Sequence, residues 1–318
     1  MRLATAIVAA VPAVALVAAC SSPGGAAAAR TQSAPPAASS HAAPTPNSAG
    51  ESSPARTAAP SSSRAAPPAS APPASAPAPA QAAAASGSRL VTFVSKVTQT
   101  IWVAASPDPN HPMTATGWVL PAGQSVTITV PDKWNGRFWG RTGCAFTNGV
   151  GRCQTGDCGG RFQCTGYGAI PATLAEYDMN AWDGLDFYDV SMVDGANLPM
   201  YINITAGQTR DKISRTGCGP AGCTTSVDCP STLQVKAGGV AVACESACAK
   251  LGGDQYCCRG AWAPRSQCDP TKWPVDYAAV FKKAEPYAYS YVDDDATSVY
   301  TCKGRCNYQI TFGITPPG

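Results

Sequence analysis

Fourteen cysteines packed into the 163 residues from Cys144 to Cys306 constrain this chain more than any other feature. In a reducing compartment such a cluster would serve as thiols or metal ligands. The whole sequence, however, holds two histidines, and the cysteine spacings do not repeat as paired C-x-x-C knuckles. The pattern predicts an exported domain stapled by disulfides, with no metal and no cofactor. The fifteenth cysteine, Cys20, stands apart at the end of an apolar N-terminal run, where a second chemistry is expected.

Arg2 precedes a largely apolar stretch, residues 3–19, which has signal-peptide length and is too short for a comfortable membrane span. We read 1–19 as an export signal. The stretch ends Leu16-Val17-Ala18-Ala19-Cys20, which resembles the lipobox of bacterial lipoproteins, where small residues precede a cysteine that is acylated and becomes the mature N-terminus. The alternative is an ordinary signal-peptidase site after Ala19, with Cys20 incidental. Lipidation at Cys20 would hold the protein on the outer side of the cell membrane, each buried methylene adding about 0.8 kcal/mol. If shed, the domain would be extracellular.

Residues 21–88 contain no Val, Ile, Leu, Met, Phe, Trp, Tyr or Cys and carry 13 of the 29 prolines. A segment that buries nothing cannot offset the entropy of ordering, so 20–88 reads as the lipidated cysteine and a disordered linker. It would span roughly 45 Å as a coil and roughly 210 Å as extended polyproline. Composition changes at Leu90, and 89–318 reads as one folded domain. Four Arg and one Glu of the chain's 23 basic and 20 acidic residues precede position 89, leaving nineteen of each in the domain. That balance argues against a nucleic-acid partner. Acids are nevertheless concentrated: Glu176, Asp178, Asp183, Asp186, Asp189 and Asp194 occur without an intervening Lys or Arg, interleaved with Tyr177, Trp182, Phe187 and Tyr188.

Short β-branched and aromatic segments at 91–94, 100–103, 125–130, 187–193, 199–204 and 308–312 are bounded by Gly, Pro, Asn and Asp. They predict a mainly β domain, a sandwich or barrel of antiparallel strands without βαβ alternation. One main helix is expected between Ser231 and Leu251, with Cys244 and Cys248 a turn apart on one face.

Ordered segments then carry a family resemblance. They are 137–144 (RFWGRTGC), 154–160 (QTGDCGG), 171–177 (PATLAEY), 186–195 (DFYDVSMVDG), 197–200 (NLPM), 256–258 (YCC) and 288–291 (AYSY), the last followed by Asp294-Asp295 and Thr297-Ser298. Over about residues 90–315 the chain resembles the thaumatin-like proteins. The resemblance implies a flattened antiparallel β-sandwich flanked by a disulfide-rich subdomain that holds the helix. It also implies the pairs Cys144–Cys153, Cys158–Cys164, Cys218–Cys302, Cys229–Cys244, Cys248–Cys257 and Cys258–Cys268. The sequence departs from the family pattern in three places. Val97 and Gly313 replace both halves of one bridge, so the first and last strands must rely on sheet pairing. Glu285 replaces a third cysteine and strands Cys223, for which we expect a relocated bridge to Cys306.

Arg137, Glu176, Asp189, Asp194 and Asp294 match the family's acidic-cleft set. The resemblance implies binding of a linear β-1,3-glucan or related cell-wall polysaccharide, an antifungal defence role and, in some members, weak endo-β-1,3-glucanase activity. Glycoside hydrolysis needs one protonated carboxyl and one ionised carboxylate, and several acids sharing a groove can supply both. We assign Glu176 as the acid and Asp189 as the nucleophile or base. Arg137, Asp194 and Asp294 are assigned to substrate binding, with Asp186, Asp293 and Asp295 as secondary candidates. Tyr177, Tyr188 and Trp182 could stack on sugar faces. Three readings stay open: a glucan-binding protein without turnover, an endoglucanase, and an inhibitor or protein-interaction module. A monomer is expected. No H-E-x-x-H, Walker loop or G-x-S-x-G occurs, His41 and His111 fall in linker and turn, and the sequon at Asn203 lies inside an expected strand.

Overall fold

The computed structural model describes residues 85–209, 218–219 and 222–315. The export signal, Cys20 and nearly all of the linker lie outside the described residues. Along the chain the strands are β1 (Ser88–Ser95), β2 (Ile101–Ala105), β3 (Gly117–Leu120), β4 (Ser125–Pro131), β5 (Asn135–Arg141), β6 (Ala145–Thr147), β7 (Val150–Arg152), β8 (Leu174–Asp178), β9 (Leu185–Ser191) and β10 (Met200–Gln208). The short strands β11 (Cys218–Gly219), β12 (Gly222–Cys223), β13 (Gln234–Ala237) and β14 (Val240–Cys244) follow, and β15 (Tyr300–Phe312) comes last. Four short helices, α1 (Ala247–Leu251), α2 (Asp254–Cys257), α3 (Ala278–Ala284) and α4 (Asp295–Ser298), fall between β14 and β15. None is long and apolar enough to cross a membrane.

The hydrogen-bonded order is β3-β2-β5-β8-β9-β15-β1-β4, with β10 also paired to β15. β15 joins two layers. Its first residues, Tyr300 to Lys303, pair with β9, whereas Tyr308 to Phe312 lie between β1 and β10. The layers meet through Phe93 of β1 edge-on to Phe138 of β5, ring centroids 5.2 Å apart, with Trp134 packed on Phe138 at 4.6 Å. Such aromatic pairs add about 0.5–1.5 kcal/mol beyond the area they bury. The chain termini of the sandwich are tied by the parallel register Val91↔Tyr308 to Ser95↔Phe312. Lys96 N–H also donates to the Phe312 carbonyl at 2.8 Å, so sheet pairing holds the ends where Val97 and Gly313 stand.

The expected helix at 231–251 is instead a β-hairpin, β13–β14, followed by the short helix α1. Gly238 and Gly239, at φ 57° and 83°, turn β13 back on β14, and helix begins at Ala247, where the Ser246 hydroxyl accepts from Ala249 N–H. Cys244 ends a strand and Cys248 sits in α1, so they do not share a helical face. The longest helix, α3, escaped the sequence reading; it buries Ala278, Phe281 and Ala284 at three-residue intervals.

Five disulfides form as the resemblance implies: Cys144–Cys153, Cys158–Cys164, Cys229–Cys244, Cys248–Cys257 and Cys258–Cys268. Two do not. Cys218 pairs with Cys223 and Cys302 with Cys306, in place of the expected Cys218–Cys302 and Cys223–Cys306. The β11–β12 hairpin sets Cys218 directly opposite Cys223. In β15 the chain bulges around Gly304, at φ 90°, which brings the Cα atoms of Cys302 and Cys306 within 6.3 Å. A straight strand would hold residues four apart at about 13 Å. Across the strand, Gly207 leaves room for both sulfurs: a Cβ there would lie 2.4 Å from Cys306 Sγ.

Candidate functional site

Three adjacent strands carry the site. In register, Arg137 of β5 faces Glu176 of β8, and Glu176 faces Asp189 of β9. Residues directly opposed across antiparallel strands have Cβ atoms about 4.5–5.5 Å apart, so pairing alone sets these groups in one row. Next to Arg137, Gly136 makes room for the buried Trp134 ring behind the row, because a Cβ there would lie 2.6 Å from both that ring and Ser106 Oγ. Asp194, in the turn after β9, reaches the same guanidinium: Arg137 Nη1 donates to Asp194 Oδ2 at 3.2 Å and lies 3.6 Å from Glu176 Oε1. Glu176 and Asp194 are each 37% exposed.

This row floors an open groove of about 440 Å³, with Asn135, Asp178 and Phe187 beside it and Tyr167 on its wall. The Arg137 guanidinium lies 4.3 Å from the Tyr167 ring centroid. Beyond Asp194 a second hollow of about 390 Å³ opens toward the disulfide-rich flank, walled by Tyr256, Trp273, Tyr277 and Tyr291. Since Asp194 lines the second hollow and touches Arg137 of the first, the two meet at that ion pair.

The acids differ in their surroundings. Burial pushes the Asp189 carboxyl up to about 8, with further upward pressure from Glu176 and Asp295, and its Oδ1 is buried with no hydrogen-bond partner. Burial also raises Glu176, but Arg137 and a hydrogen bond from Ser191 act against the rise. These surroundings favour the protonated form of Asp189 at neutral pH, while Arg137 draws Glu176 toward its charged form, the opposite protonation order to the one expected from sequence. Asp295 accepts from Tyr289 Oη at 2.6 Å and pairs with Arg265. It therefore belongs to the field around Asp189.

Three residues assigned to substrate binding are turned away from the groove. Asp294 is 7% exposed, and its oxygens accept from Ser290 N–H, Ser290 Oγ and Thr297 Oγ1 and pair with Lys282 Nζ at 2.9 Å. It clamps α3 to α4. Tyr177 and Tyr188 are core residues, 3% and 4% exposed, near-parallel to one another and packed against Tyr308. The two-residue period of a strand explains this, since Glu176 and Asp189 face the groove and their chain neighbours must face inward. Asp186 is wholly buried, bonded to Arg89 at 3.0 Å and Tyr308 Oη at 2.7 Å, and serves the interior. Trp182, by contrast, is 62% exposed. Tyr167, Asp178 and Phe187 were not identified as site residues; Asp178 and Phe187 could have been found from their same-face spacing to Glu176 and Asp189.

Comparison with known proteins places this arrangement among relatives. Residues 95–314 match the thaumatin family. Pathogenesis-related protein 5 of Arabidopsis thaliana is 44% identical over 216 residues, covering 67% of this chain and 85% of its own. Thaumatin-like protein 1 of Castanea sativa is 42% identical over 231 residues, covering 71% and 90%. Among solved structures, a thaumatin-like xylanase inhibitor covers 70% of this chain and 97% of its own, at 22% identity and a TM-score of 0.36.

Proposed function

The chain belongs to the thaumatin family, and from that premise we propose that its acidic groove binds a neutral, hydroxyl-rich polysaccharide of the β-1,3-glucan or cell-wall type. The observation that carries the reading is the cross-strand row Arg137, Glu176 and Asp189, closed by Asp194 over an open groove. Carboxylates accept hydrogen bonds from sugar hydroxyls and Arg137 donates to them, so the row offers both partners a polyol needs. The name of the Arabidopsis relative, pathogenesis-related, favours a defence role against organisms whose walls hold such a polymer. Seven disulfides among the described residues fit an exported protein. A lipid on Cys20 would tether it to the membrane, and the mass of the mature N-terminal peptide tests that.

A second reading, weak endo-β-1,3-glucanase activity, is favoured by the pairing of a proton-holding Asp189 with a neighbouring Glu176, whose carboxyl burial raises and Arg137 draws part of the way back toward its charged form. Direct cross-strand pairing sets their Cβ atoms about 4.5–5.5 Å apart, and retaining glycosidases hold their two carboxyls roughly 5–5.5 Å apart. Incubation with laminarin separates the readings. Binding without new reducing ends supports the first, and reducing ends that vanish in Asp189→Asn support the second. If Glu176→Gln leaves both binding and turnover at wild-type levels, the groove is not the site.

A further inference from the structure

Trp182, the tryptophan of the acidic segment, is 62% exposed, and its presentation is built rather than incidental. The residue sits in a single 3-10 turn, Trp182–Gly184, ahead of β9. Asp183 and Gly184 in that turn adopt left-handed φ values of 59° and 65°, a conformation that Gly takes freely and Asp tolerates. The turn is pinned at its base: Ala181 N–H donates to the Leu185 carbonyl at 2.8 Å, and Asn180 N–H donates to Asp186 Oδ1 at 2.7 Å. Asp186 is itself locked in the interior by Arg89 and Tyr308.

From that base the indole projects outward and packs one side on Phe187, ring centroids 4.1 Å apart at 33°. Phe187 lines the acidic groove, pairs across the sheet with Asp178 and precedes Asp189 by two residues on the same face of β9, a rise of about 7 Å. The aromatic pair therefore ends the carboxylate row. A large indole left 62% exposed on a pinned turn forgoes burial that such side chains ordinarily obtain.

We propose that Trp182, braced on Phe187, is a stacking platform for one pyranose ring of the bound glycan; this rests on the polysaccharide reading of the groove. The C–H faces of a β-linked glucose unit are apolar and match an aromatic face, while hydroxyls at the ring edge point toward Asp178 and the row beyond. The pair thus fixes where along the groove a sugar ring sits, and it favours rings with unobstructed faces over charged or heavily branched glycans.

The test is calorimetric binding of linear β-1,3-gluco-oligosaccharides to the wild-type protein, Trp182→Ala, Trp182→Tyr and Glu176→Gln. Trp182→Ala should weaken binding about tenfold, and Trp182→Tyr should stay within about threefold of wild type, because an aromatic face is retained. Thermal midpoints should match wild type, since the indole is exposed. Equal affinity for wild type and Trp182→Ala overturns the platform. If Glu176→Gln abolishes binding while Trp182→Ala does not, the platform falls and the glycan groove stands. If the wild-type protein binds no glucan, both fall together.

Discussion

The sandwich and the disulfide-rich flank of residues 222–298 are stabilised by different means. The sandwich closes on a continuous core that includes Val91, Phe93, Trp134, Phe138, Tyr177, Tyr308 and Ile310, and its strands pair over long stretches. The flank sends Leu233, Phe281 and Ala288 into that same core, but its helices are only four to seven residues long, too short to persist unaided, and the apolar cluster it builds apart from the core is Cys268, Trp273 and Ala278. Covalent staples take over there: Cys229–Cys244, Cys248–Cys257 and Cys258–Cys268 close loops of 9 to 15 residues. The difference bears on the groove. Its acids stand on the sheet, in a register that cannot slip without turning every side chain over, whereas the aromatic wall beyond Asp194 is held in place by bridges.

Removing a staple should therefore loosen one wall and spare the other. Replacing Cys248 and Cys257 together by Ser opens a nine-residue loop and should cost about 3 kcal/mol by loop entropy. Hydrogen exchange should rise across 246–257 while amides of β5, β8 and β9 keep their protection. Equal loss of protection in the sheet would show that the two regions fold as one unit and break the comparison.

The acidic row gives a smaller effect with a defined sign. Asp189 has a folded value of about 8 against an unfolded value near 3.9. Between those values the folded state holds a proton that the unfolded state has lost. This contribution is fully present below about pH 4 and is lost as pH rises through 8. Asp189→Asn should flatten that decline, making the variant more stable than wild type at pH 8 by on the order of 2 kcal/mol after solvent screening. Urea denaturation at pH 4, 6 and 8 measures it. Parallel pH curves for the two proteins would mean that Asp189 is ionised in the folded state.

Legibility from sequence divides along the same line. Six β-branched and aromatic runs overlap β1, β2, β4, β9, β10 and β15, because burial on one or both faces imposes that composition. The strands that carry Arg137 and Glu176 lack the signal. β5 holds two glycines where close packing forbids a side chain, at Gly136 and Gly140, and only the family resemblance located its arginine. In the flank, Val- and Ala-rich 234–244 has no strong period, and two left-handed glycines decide for a hairpin over a helix. The resemblance placed Arg137, Glu176, Asp189 and Asp194 together, but it could not foresee that Lys282 and Ser290 would occupy Asp294. Nor could it foresee that strand alternation would carry Tyr177 and Tyr188 inward.

The bridges at Cys218 and Cys302 give the smallest expected effect and the sharpest test of the division. The expected Cys218–Cys302 link would close a loop of about 84 residues and join flank to sandwich, a stabilisation of about 4.5 kcal/mol by loop entropy. The observed Cys302–Cys306 bridge closes four residues within one bulged strand, for which the same relation gives about 2 kcal/mol at most. Replacing Cys302 and Cys306 together by Ala should therefore cost no more than that. Tryptic digestion without reduction reads the pairing directly, since cleavage after Lys303 and Arg305 separates the two cysteines, while Cys218 and Cys223 stay on one peptide, 216–236. Local pairing leaves the peptide ending at Lys303 joined to the one beginning at Cys306 and to no other. A mass linking either of them to 216–236 would show that a covalent tie crosses between the two regions, and that the flank's bridges do not all close within the flank.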